Sequence, residues 1–87
     1  MQLYLVHCGF YDEEISEGIY EFHVNISVVA STLEEAKQKV RWDSAFQKKK
    51  MHIDGIQEIK AVNGFLVDLK PNLSSETAIT SHQYRDL

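Results

Sequence analysis

Apolar residues along the chain fall into separate runs of two kinds. Gln2 to Cys8 is almost continuously apolar or aromatic, is strand length, and is followed by Gly9, so it reads as a central strand buried on both faces. Phe10 to Gly18 carries four acidic residues and closes on a glycine, which predicts a long loop rather than a tight turn. From Ile19 to Ala30 the pattern alternates. Tyr20, Phe22, Val24, Ile26, Val28 and Ala30 take one side, and Glu21, His23, Asn25 and Ser27 the other, as in a strand with one apolar and one polar face. Ser31-Thr32-Leu33-Glu34-Glu35 is then a helix start, with Glu35 three residues after Thr32 in a capping-box arrangement. Leu33, Ala36 and Val40 form one stripe of a helix running to about Asp43 or somewhat beyond. Trp42 and Phe46 sit off that stripe and are expected to cover the end of the sheet. His52 to Val62 reads as a third strand, Asn63-Gly64 as a hairpin turn and Phe65 to Leu69 as the return strand.

The order is therefore β-β-α-β-β. An apolar first strand needs a neighbour on each side, and a crossover helix packs on one face of its sheet. These constraints predict an α+β fold: a four-stranded antiparallel sheet, order 2-1-3-4, with one helix on one face. Residues 1–70 form a single domain in this reading. Residues 71–87 form a polar C-terminal tail, expected to be mobile or ordered by a partner. One short helix cannot cover four strands, so the second face is expected to be an interaction surface, most simply that of a homodimer, with a small ligand or protein as further candidate partners.

Composition narrows the functions. The chain has 87 residues and a net charge of −4, which argues against nucleic acid and anionic membrane surfaces as partners. Lys48-Lys49-Lys50 is too short to reverse that and suits the C-terminal end of a helix. A single Cys8 excludes an internal disulfide and a cysteine-based zinc site. With no leader-like segment and no apolar run long enough to span a bilayer, a cytoplasmic location is expected.

His7-x-Gly9, Gly18-x-Tyr20-Glu21-x-His23, Glu35-Ala36-Lys37, His52-Ile53-Asp54-Gly55 and Val62-Asn63-Gly64-Phe65 together resemble a small bacterial family known as domain of unknown function 1543. The resemblance covers residues 2–69. It implies a domain that occurs in one or two copies per chain, which suits paired half-sites, and it carries no assigned activity.

The chemistry must come from the residues. In the expected topology the end of the first strand (His7), the start of the second (Glu21, His23) and the start of the third (His52, Asp54) meet at one edge of the sheet, beneath the acidic loop. Glu21 and His23 share a face by parity, as do His52 and Asp54, and His7 lies with Leu3 and Leu5. If these faces coincide away from the helix, imidazole nitrogens and carboxylate oxygens converge as they do around a divalent transition metal. The leading expectation is a non-catalytic, self-associating binding module that uses this polar face and edge. The alternative is a metal-dependent enzyme, such as a hydrolase, with His7, Glu21, His23 and His52 as ligands and Asp54 as base or orienting group. Cys8 and His7 point to opposite faces and make no dyad, and Ser31 and Thr32 serve as helix caps.

Overall fold

In a computed structural model, which describes residues 1–87 except the side chain of Ser16, the chain is an α+β fold. β1 (Gln2–Tyr11) is followed by a one-turn helix α1 (Glu13–Ser16) and β2 (Glu21–Ala30); then come α2 (Leu33–Arg41), α3 (Ser44–Lys48) and β3 (His52–Ile59). A short hairpin of β4 (Ala61–Val62) and β5 (Phe65–Leu66) follows, and a 3-10 turn, Tyr84–Asp86, lies near the C-terminus. Among the described residues no helix is long and apolar enough to cross a membrane.

The sheet has three antiparallel strands in the order β2-β1-β3. The expected fourth strand differs. Asn63 and Gly64 make the turn, both with positive φ (53° and 84°), but β5 pairs only with β4 in a separate two-stranded sheet beyond Lys60. The first strand is also longer than expected: Gly9 does not end it but sits inside it, opposite both His23 and His52. The acidic segment after it is not wholly loop, since the Asp12 side chain accepts from the Glu14 backbone N–H (3.0 Å) and caps α1.

The core lies on the even-numbered face of β1. Tyr4, Val6 and Cys8 are buried there with Ala30, Ala36 and Val40, while Ile26, Val28, Phe46, Met51, Ile53 and Ile56 pack around them. Phe10 stacks on Phe22 at the upper end, with 5.8 Å between ring centres. The first strand is thus unequal in its two faces: Leu3 and Leu5 are half-buried on the odd side and His7 is exposed. β3 keeps two isoleucines inward although they are three positions apart, because a bulge opposite His7/Cys8 inserts Asp54 as an extra residue.

Thr32 caps α2 as expected, accepting from the Glu35 backbone N–H (3.1 Å), and Glu35 in turn accepts from the Ser31 backbone and hydroxyl. Those Ser31 bonds hold the Glu35 carboxyl below its usual range. Leu33 departs from the expected stripe and is 47% exposed, so the buried contacts of the helix come from Ala36 and Val40, while Lys39 Nζ donates to the Val29 carbonyl of β2 at 2.6 Å. The helix stops at Arg41, and Asp43 starts α3 by accepting from the Ala45 and Phe46 amides. This break separates the aromatic pair: Phe46 joins the core and Trp42 is 78% exposed. Lys48–Lys50 lies at the end of α3, where Lys49 Nζ reaches buried Asp12 at 2.5 Å and ties the helix to the end of β1.

Candidate functional site

The site is built on the sheet face that no helix covers. Residues paired directly across antiparallel strands share a face. Tyr11 opposite Glu21, Gly9 opposite His23, and His7 opposite Asn25 therefore stack three rows of β1–β2 side chains on the open side. β3 adds His52 opposite Gly9, and its bulge places Asp54 on the same side. All five residues singled out from the sequence thus lie on this face, and four of them meet.

Those four form a closed ring of alternating imidazole and carboxylate. Glu21 Oε1 lies 2.9 Å from His52 Nε2 and 3.0 Å from His23 Nε2. Asp54 completes it, with Oδ1 3.2 Å from His52 Nε2 and Oδ2 3.2 Å from His23 Nε2. One donor atom each from Glu21, His52 and Asp54 fits within a 4.8 Å span. The four side chains remain 30–46% exposed, so one side of the ring opens to solvent.

Gly9 is the floor. A Cβ built there would lie 2.3 Å from Glu21 Oε1, 2.6 Å from Asp54 Oδ2 and 2.6 Å from His52 Nε2. A glycine inside a strand often marks a point where other groups approach the backbone closely, and here the approaching groups are the donor atoms themselves.

A second row supports the ring. The His7 and His23 rings stack in parallel at 4.8 Å, and His7 Nδ1–H donates to Asn25 Oδ1 at 2.8 Å. His7 therefore braces His23 from the side and does not itself close the ring. Tyr11 donates its hydroxyl to Glu21 Oε2 (3.3 Å) and leaves Oε1 for the histidines. The His52 hydrogen bond, aided by the charges of both rings, holds the Glu21 carboxyl below the ordinary carboxylate range. The negative charge of Glu21 in turn raises the Tyr11 phenol. Cys8 is inert by comparison, buried on the opposite face with burial pushing its thiol up.

Gly9, Tyr11 and Asn25 are the members that parity alone could have found, since all three share the row pattern of His7, Glu21 and His23. Beyond the ring, Leu5, His7, Asn25, Gly55, Ile56 and Gln57 line a shallow depression of about 400 Å³ on the same face.

Fold and site together define a small α+β domain whose three-stranded sheet is covered on one side and displays a two-histidine, two-carboxylate cluster on the other. Residues 19–69 match the family described as Domain of Unknown Function (DUF1543), and the chain belongs to that family. The match contains all four ring residues but begins after β1, the strand that supplies Gly9 and His7. Neither the curated proteins nor the solved structures contain a match to this chain.

Proposed function

We propose that this domain is a binding module for a divalent transition metal ion, held by Glu21, His23, His52 and Asp54 on the open sheet face. The observation that carries this reading is the ring itself, set over a position where even a methyl group would collide with the donor atoms. Ligands about 2.0–2.1 Å from a tetrahedral ion lie roughly 3.3–3.4 Å apart, close to the 2.9–3.2 Å between neighbouring imidazoles and carboxylates of the ring. Glu21, His52 and Asp54 offer three donor atoms within 4.8 Å of one another, and His23 would complete the set by moving inward. Two imidazoles and two carboxylates suit zinc, manganese, iron or nickel better than calcium, which takes oxygen ligands, or copper(I), which prefers sulfur.

The test is elemental analysis and calorimetric titration of protein without a histidine tag. One ion per chain is expected, with a rise in melting temperature. The stabilisation is about 2.7 kcal/mol at a hundredfold excess over Kd. The double variant His23→Ala/His52→Ala should lose the ion, whereas His82→Ala, a change in the tail, should keep it. Absence of bound metal together with an unchanged melting temperature in zinc, manganese and nickel would remove the basis for the reading.

A hydrolytic role for the bound ion is the second reading: with Glu21, His52 and Asp54 as its three protein ligands a fourth coordination position would stay open, and the depression beside the ring leaves room for a small substrate. Metal-dependent turnover of activated esters or phosphoesters that disappears in His52→Ala would distinguish it from binding alone.

A further inference from the structure

The chain leaves too much surface in water for its size. Its accessible area is 7467 Å², whereas a folded monomer of this mass exposes about 5,200 Å². A stable interface needs about 800 Å² per partner, well within that difference. Part of the excess is the tail, and part is the β4–β5 hairpin. Val62, Phe65 and Leu66 are 53%, 77% and 85% exposed, and residues 61–67 include no charged residue. A hairpin with two paired positions on each strand is marginal alone in water, so one that exposes three large apolar side chains calls for a surface to lie on.

That surface exists on the same chain. Below the metal ring the open face is made of Leu3, Leu5, Ser27, Val29, Gln57 and Ile59, aligned by the pairs Leu3–Val29, Leu3–Ile59, Leu5–Ser27 and Leu5–Gln57. None of these is ionisable. The hairpin does not cover its own face: Lys60 alone separates β3 from β4, and the hairpin continues past the Leu3–Ile59 pair that ends the β1–β3 pairing. Val62, Phe65 and Leu66 stay exposed, while Val67, Leu69, Ser75 and Thr77 of the same chain only border the lower end of the face. We propose that two copies of this chain associate, each laying its β4–β5 hairpin on the uncharged half of the other's open sheet face. Exchange of two identical arms is a two-fold, self-complementary contact that closes at two copies. It also allows two chains of net charge −4 to meet without burying like charges. The metal ring lies at the other end of the face and is not needed for this contact.

Sedimentation equilibrium of the full untagged chain at micromolar concentration tests the proposal. A particle of twice the 10.0 kDa chain mass is expected. Phe65→Ser/Leu66→Ser should return it to the chain mass, with circular dichroism and metal titration unchanged. Leu5→Lys, which places a charge on the receiving face, should do the same. Trp42→Ser, a change at an equally exposed aromatic outside both surfaces, should leave the dimer intact. A wild-type chain that sediments at its own mass throughout this range would overturn the proposal, as would a dimer that survives both sets of substitutions. Metal titration is read separately, so failure of the dimer and failure of the metal site are distinguishable.

Discussion

Gly9 concentrates the site's chemistry in one missing carbon. The atoms that a Cβ would strike are the ends of flexible side chains, so Gly9→Ala should displace the ring without breaking the sheet. We expect a melting temperature within a few degrees of wild type and metal affinity lower by at least about tenfold, comparable to the loss of a group that orients metal ligands. Equal affinity in the two proteins would mean that the ring is not the binding site. From the sequence Gly9 reads as a strand terminator, because only side chains on two neighbouring strands reveal why a glycine belongs there. Glu21 offers a second prediction. Its carboxyl titrates below its ordinary value of 4.5, so it contributes stability above that pH, and this is lost as pH falls through the lower folded value. Thermal melts of Glu21→Gln should therefore show a shallower loss of stability below pH 4.5 than wild type, and identical acid limbs would refute the role of Glu21.

At the level of elements, the alternation of β2 was fully legible, and it alone placed Glu21 and His23 on one face. β3 was legible only in part. Ile53 and Ile56 break period two, and that break is the trace of the bulge that brings Asp54 beside His52. α3 was missed because its five residues are set by the Asp43 cap and by Phe46 packing, and neither leaves a helical period. The helix side and the ring side should respond differently to truncation. Val40 is fully buried, so Val40→Ala should cost about 1–3 kcal/mol, measured by denaturant unfolding. His23→Ala, at a site 40% exposed, should cost much less. Comparable losses would show that the ring supports the fold as much as the core beneath the helix does. The Asp12–Lys49 bridge joins α3 to β1 in a way no local pattern announced, and it holds the Asp12 carboxyl below its ordinary value.

For the whole molecule, α+β class and the central place of β1 followed from its continuous apolar run, but the fourth strand did not. Asn63-Gly64 specified a turn correctly without specifying that the returning strand would pair along β3, because a turn fixes only its immediate register. The domain that results has a small core, and its integrity must rest on residues before the tail. No residue from 71 to 87 is buried, and the tail's hydrogen bonds are local, as from the Glu76 N–H to Ser74 Oγ and from the Gln83 N–H to Asp86 Oδ2. Ser75 and Thr77 do lie beside Leu3 and Val29 at the lower end of the open face, where the partner hairpin is proposed to dock. A chain ending at Lys70 should therefore fold with nearly unchanged stability and bind metal as the full chain does. Its dimer should be as tight or tighter, because a segment flanking the receiving face is gone. Hydrogen exchange of the β1 amides measures the first point and sedimentation the second. Loss of β1 protection on truncation would show that the tail, despite its exposure, is part of what holds the sheet together.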